Sequence, residues 1–212
     1  MKTVYLVRHG ESEGNVQRFT QSPTTPLSEA GRIQATHIAD RCAQLGIEHI
    51  VASTMTRAAD TAQIISNRIH TTITYTDLLV EKHQISTNHN RPHTDPEVVR
   101  SQELYWKNFE ENDFRIADEE NFNDLKNRAR EALYLLENRP EETLLVVSHG
   151  LFLRIVFGYM LFGDQLSAYE CRCLAHNLKT TNTGLSKAIY NTEIDHPHWS
   201  LIVWNDHAHL GE

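Results

Sequence analysis

Thr3-Val4-Tyr5-Leu6-Val7 runs straight into Arg8-His9-Gly10-Glu11. The first five residues are apolar, β-branched or aromatic, the composition of a short buried strand. The strand stops at a cation, an imidazole and a flexible glycine. In an open α/β sheet, ligands bind at the carboxyl ends of the strands. The junction therefore predicts an α/β fold and a site together, with His9 as a candidate nucleophile.

Outward from that junction the pattern repeats. Residues 10–26 are polar and contain Gly and Pro, which reads as a loop. Ser28 then caps a helix with Ile33, Ala35, Ile38, Ala39, Cys42 and Leu45 at helical spacing, stopped by Gly46. His49–Ser53 is a second strand, a polar turn carries Arg57, and a helix follows from about Ala58 to Ile69. Thr72–Tyr75 is a third strand, and Asp77–Glu81 leads the chain outward. Residues 82–120 are poor in apolar side chains, rich in His and Asn, and broken by Pro92 and Pro96. They are expected to form an inserted cap without a core of its own, helical in part from Pro96 to Asn108. Phe122–Glu137 is a strongly amphipathic helix. Thr143–Val147 is the most apolar strand, hence the expected centre of the sheet, and ends at Ser148-His149-Gly150. An apolar helix from Leu151 to Phe162 and two late strands, Thr183–Ile189 and His198–Asn205, complete what is expected to be one domain over 1–212.

Composition narrows the function. A net charge of −8 argues against a nucleic-acid binder, which needs a broad basic face. No apolar run approaches the ~20 residues of a membrane span, and the N-terminal run is too short for a secretory signal. The three cysteines form an odd set, and Cys171-Arg172-Cys173 is too closely spaced for a zinc knuckle, which fits a reducing compartment. A soluble, cytoplasmic protein without a membrane or nucleic-acid partner is expected. Its oligomeric state is open, with a homodimer among the options. Thirteen histidines raise the question of a metal. His83, His89 and His93 cluster in the insertion, and His196, His198, His207 and His209 cluster near the end, but neither group has zinc-ligand spacing and H-E-x-x-H is absent. Surface histidines and no metal are expected.

Three strand ends thus deliver Arg8-His9, Arg57 and His149-Gly150, and the last two each lead into a helix. Helix N-termini favour anions through unpaired N–H groups, and Arg offers bidentate contacts to phosphate oxygens. The combination describes a phosphoryl site.

The ordered motifs extend further. They are Leu6–Ser12 with Asn15, Thr25–Gly31 with Gln34-Ala35, Ser53–Ala58 with Thr61-Ala62, Leu79-Val80-Glu81, Val147–Gly150, Asn182-Thr183-Gly184 and Trp204-Asn205-Asp206. Together they resemble branch 1 of the histidine phosphatase superfamily, which includes cofactor-dependent phosphoglycerate mutase. Only residues 82–120 fall outside the likeness. It implies a three-layer α/β/α sandwich with a mostly parallel sheet and a small inserted cap. It also implies that His9 becomes phosphohistidine, that Arg8, Arg57, Asn15, His149 and Gly150 hold phosphoryl oxygens, and that Glu81 is the acid and base. Glu11 and Asp77 are the neighbouring acids that compete for that role. Glu81 is expected to be partly buried, with its pKa raised toward neutrality. Arg8 and Arg57 are expected to keep His9 neutral. Thr20 and Gln21 fall where relatives place a small residue or Gly against the phosphate, and Gln21 departs from that pattern.

The expected activity is metal-independent hydrolysis of a small phosphomonoester, of the histidine acid phosphatase type and without a cofactor. The first alternative is a phosphoglycerate mutase, which would use 2,3-bisphosphoglycerate. The short insertion, with Arg91, Arg100 and Lys107 among many acids, favours hydrolysis. The second alternative is a non-catalytic phospho-ligand binding module, opposed by the retention of His9, Arg57 and His149.

Overall fold

The computed structural model describes residues 1–111, 113–193 and 198–211. The elements run β1 (Lys2–Arg8), α1 (Glu13–Gln17), α2 (Glu29–Cys42), β2 (His49–Ser53), α3 (Thr56–Ile69), β3 (Ile73–Thr76), α4 (Pro96–Lys107), α5 (Phe122–Glu137), β4 (Thr143–Ser148), α6 (Gly150–Phe162), α7 (Ala168–Asn177), β5 (Leu185–Tyr190) and β6 (Trp199–Asp206). The strands form one sheet in the order β3-β2-β4-β1-β5-β6. The pairs β3·β2, β2·β4 and β4·β1 are parallel, and β5 is antiparallel to both of its neighbours.

The alternation along each strand builds the layers. Val4 and Leu6 of β1 and Leu144 and Val146 of β4 face α5 and α6, where they join Leu125, Leu133, Phe152 and Val156. Val7, Leu145 and Val147 point the other way, against Ile38 and Ala39 of α2 and Ala62 and Ile65 of α3. Leu144 through Val147 are fully buried, the environment of a central parallel strand covered on both faces. Fully burying a side chain of this size contributes about 1.5–3 kcal/mol.

Caps set the helix boundaries. Ser28 accepts from the Gly31 amide and starts α2. The helix ends at Cys42, four residues before Gly46, because residues 43–46 form turns and Gly46 takes a positive φ of 63° within them. Residues 10–26 are not all loop: Ser12 and Asn15 form a capping box that opens α1. α3 begins at Thr56, so Arg57 lies in its first turn rather than before it. Ser167 and Glu170 form another capping box and open α7, a helix the sequence reading passes over.

The insertion carries α4 at the expected place. Its Tyr105 and Phe109 are buried in the cluster made by α5 and α6. Two ion pairs fix its ends. Lys82, with its Nζ 3.6 Å from the centre of the Tyr105 ring, pairs with Glu119. Glu120 pairs with Arg128 of α5 at 2.7 Å and accepts from the His83 amide at 2.8 Å. Arg128 also donates to the carbonyl oxygens of Val80 (2.7 Å), Leu78 (3.3 Å) and Glu81 (3.4 Å) and lies over the Phe152 ring.

No helix among the described residues is long and apolar enough to cross a membrane.

Candidate active site

Parallel pairing of β1 with β4 places Arg8 opposite Ser148, so both strands end at the same level. The His9 amide donates to the Ser148 carbonyl at 2.9 Å, and the rings of His9 and His149 lie 5.0 Å apart at 58°. β2 ends beside them, with Ser53 Oγ 2.8 Å from His149 Nε2. The first turn of α3 brings Arg57 against His9, its Nε donating to His9 Nε2 at 3.2 Å. Three strand ends and one helix start thus converge on His9.

The turn after His9 is held from several sides. The Gly10 amide donates to Thr61 Oγ1 (3.1 Å), which donates to the Arg57 carbonyl (2.7 Å). The Glu11 amide donates to Gln34 Oε1 (2.8 Å), and the Ser28 amide donates to the Glu11 carbonyl (2.9 Å). The start of α2 packs so closely here that a Cβ on Gly31 would lie 1.9 Å from the Glu11 oxygen, and one on Gly10 would lie 2.4 Å from the Gly31 oxygen. Only glycine fits at either position. From the far side Asn182 Nδ2 donates to the His9 carbonyl (3.0 Å), and the Thr183 amide donates to that of Arg8 (3.0 Å). Thr61, Gln34, Asn182 and Thr183 stand in the ordered motifs, and none of them has a role assigned from sequence.

Charge and protonation follow from this geometry. His9 Nδ1 lies 2.6 Å from the Gly10 carbonyl and so carries the proton, while Nε2 accepts from Arg57 and so carries the lone pair. Burial first, then the charges of Arg57 and Arg8, hold His9 well below the ordinary histidine pKa. The two arginines act as expected, and burial is the larger cause. His149 is held down in the same way, by burial and then by Arg57. Burial also draws Arg57 down to about 10 and lowers Arg8. Among the described residues, Arg8 Nε and His149 Nδ1 are buried nitrogens without a hydrogen-bond partner. Buried polar groups are normally satisfied, so these two mark where an acceptor fits. A neutral nucleophilic nitrogen ringed by such donors suits an oxyanion that passes through a trigonal bipyramid.

Glu81 is half-buried at the start of α6. Its Oε1 accepts from the Lys82 amide (2.9 Å) and the Phe152 amide (3.0 Å), and its Oε2 from the Leu151 amide (3.1 Å). A cavity of about 450 Å³ opens over Arg8, His9, Arg57 and Glu81, with Gln21 on its wall. Gly150 lines an adjoining cavity with Arg8 and Glu81, and a Cβ on it would come within 3.3 Å of Arg8 Nε. The structure does not bring Asn15 to the cavity; its Oδ1 caps α1 by accepting from the Ser12 amide and hydroxyl. Thr20 is buried beside a second, smaller cavity.

The remaining histidines divide. His83 and His93 are exposed, as expected, and His89 is half-buried; all three line the cavity over His9. His207 sits against the Asn205 carbonyl, and His209 lies between Arg41 and Thr183, drawn down to about 4 chiefly by burial. His198 stacks edge-on against Tyr190, and His196 lies outside the described residues. Among the described residues, no three His, Cys, Asp or Glu side chains converge as a metal-ligand set.

The fold is shared with known structures. YhfR of Bacillus stearothermophilus superposes with a TM-score of 0.80 at 25% identity, covering 99% of this chain and 100% of that one. A mutant phosphoserine phosphatase of Entamoeba histolytica, in complex with phosphoserine, superposes with a TM-score of 0.78 at 22% identity over 99% and 100% of the two chains. In sequence, a protein of Citrobacter koseri named "Probable phosphoglycerate mutase GpmB" is 32% identical over 216 residues, covering 99% of this chain and 95% of its own length. The family model for branch 1 of the histidine phosphatase superfamily matches residues 4–207. The chain therefore belongs to that superfamily, whose members are phosphatases and mutases.

Proposed function

We propose that this protein is a phosphatase that hydrolyses a small phosphomonoester through a phosphohistidine on His9. The observation that carries the reading is the fixed lone pair on His9 Nε2, which faces Arg57 Nε, with the unpartnered nitrogens of the adjoining Arg8 and His149 left to hold an oxyanion.

In the first step Nε2 attacks phosphorus, and the N–P bond forms as the ester P–O bond breaks. Arg57 Nε loses its acceptor as the nitrogen lone pair is consumed and turns to a phosphoryl oxygen. Ser53 Oγ accepts from the Met55 amide at 3.2 Å and has its own hydrogen to give to His149 Nε2. His149 Nδ1 then carries a proton and serves as another oxygen donor. Glu81 protonates the leaving oxygen. Its Oε1 already accepts two amides while Oε2 accepts one, so the proton belongs on Oε2. In the second step Glu81 takes a proton from water, the water oxygen attacks phosphorus, and His9 leaves with its lone pair restored. The guanidiniums and imidazole supply the positive charge the transition state needs, so the scheme uses no metal.

A mutase is the second reading, favoured by the name of the GpmB relative. It shares the first step and replaces water with a substrate hydroxyl. Phosphate release and 3- to 2-phosphoglycerate interconversion, assayed side by side, separate the two. Net phosphate release from phosphomonoesters is expected, falling about 10⁴-fold or more in His9→Ala, with acid-labile phosphate trapped on His9 in the wild type. Fast interconversion with little free phosphate would reverse the choice. Equal, negligible turnover by wild type and His9→Ala would make the protein a binding module.

A further inference from the structure

Behind the insertion lies a second cavity of about 160 Å³. Lys82 and Gln84 line both cavities, so the two adjoin at the stem that follows Glu81. Leu151 lines it as well, and the Leu151 amide is the one that holds Glu81 Oε2. It therefore sits on the side of the proposed acid, where a leaving group goes.

Two buried hydroxyls on its wall, Thr20 Oγ1 and Tyr105 OH, have no hydrogen-bond partner. Thr20 is 1% and Tyr105 4% exposed. Leaving such groups unpaired costs about 1–3 kcal/mol each, so the site is built for something polar. Gln84 and Gln102 add further neutral donors and acceptors, and Trp106 adds a ring. The charged groups on the wall are Lys82 and Glu119, and they neutralise each other. Nothing there suits a second anionic group. The volume equals that of about five water molecules in the liquid, the bulk of a small polyol.

We propose that this cavity is a leaving-group subsite for a neutral polyhydroxylated tail, so that the preferred substrates are phosphate esters of sugars or polyols rather than of hydroxy or amino acids. The proposal rests on the phosphatase reading for its direction, and the subsite itself can be tested without turnover.

Ribose 5-phosphate and 3-phosphoglycerate present similar ester groups and differ in their tails, hydroxyls against a carboxylate. Wild-type kcat/KM is expected to favour ribose 5-phosphate at least tenfold, and Tyr105→Phe is expected to lower that ratio about tenfold, as is usual when a site built to bond a hydroxyl loses its partner. In His9→Ala, calorimetric titration with ribose 5-phosphate and with inorganic phosphate reads the same subsite. Tyr105→Phe is expected to weaken the sugar phosphate relative to phosphate, and Thr20→Val to do likewise. The Tyr105 hydroxyl bonds no protein atom, so Tyr105→Phe should fold as the wild type does. A ratio unmoved by Tyr105→Phe, a wild-type preference for 3-phosphoglycerate, or equal weakening of both ligands by Thr20→Val overturns the proposal. If no ester is hydrolysed while the calorimetric ratio still responds to Tyr105→Phe, the phosphatase reading falls and the subsite stands.

Discussion

The sheet edge and the insertion build opposite halves of one cavity by different means. At the edge, Arg8, His9 and His149 are placed by backbone pairing: the register of β1 against β4 fixes them before any side chain is considered. In the insertion, Lys82 is placed by its ion pair with Glu119 and its seat over the buried Tyr105 ring, across long sequence separations, and His93 by its amide's bond to the Arg18 carbonyl (2.9 Å). The edge fixes the chemistry, and the insertion shapes what the chemistry reaches. A half fixed by strand register tolerates little variation in type, whereas a half fixed by side-chain pairs changes whenever its sequence does.

Removing the Glu120–Arg128 contact is the sharpest way to break this comparison. Both side chains are 11% exposed, and Arg128 also holds three carbonyls of the segment that leads to Glu81. Arg128→Met is expected to destabilise the fold by about 3–5 kcal/mol, because it leaves a buried carboxylate unpaired; urea denaturation measures this. A loss under ~1 kcal/mol would mean that the insertion is an appendage rather than part of the core. Acid titration is the next test. His9 and His149 are held neutral in the fold, while the unfolded chain protonates them near 6.5. Below that pH the unfolded state binds more protons, so stability falls as pH drops from about 6.5 toward the depressed folded values. The slope is up to about 1.4 kcal/mol per pH unit for each ring. Unfolding free energies at pH 7 and 5.5 should show the drop, and His149→Gln should flatten it. The smallest effect is expected from Ser28→Ala, which removes the α2 cap and a 2.8 Å bond to Glu11. It should cost about 1 kcal/mol, a fall in Tm of about 2–4 °C.

The same division decides what can be read from sequence. β2 and α5 have the expected boundaries, because apolar periodicity and flanking turn residues mark them without tertiary help. α1 escapes because a Ser12–Asn15 capping box looks like loop composition, and α2 ends early because a run of turns intervenes before Gly46. The convergence of Arg8, His9, Arg57 and His149 is legible because strand ends in a parallel sheet share an edge. The cap histidines stand out in sequence as a cluster but not as cavity residues: residues 90–93 are held against residues 18–20 by backbone bonds that no periodicity marks. Glu120 and Arg128 belong to no motif, and their pairing depends on where the insertion returns to α5. Asn15 has a second role that its motif does not reveal, since its side-chain oxygen is engaged in a helix cap.

Both ends of the insertion are anchored, by Lys82 to Glu119 and by Glu120 to Arg128. Chain between the two anchors can lengthen, shorten or be replaced while the ends stay in place, much as a binding loop varies on a rigid scaffold. Changes confined to that interval can redraw one wall of the cavity while the opposite wall, built on the sheet edge, keeps its shape.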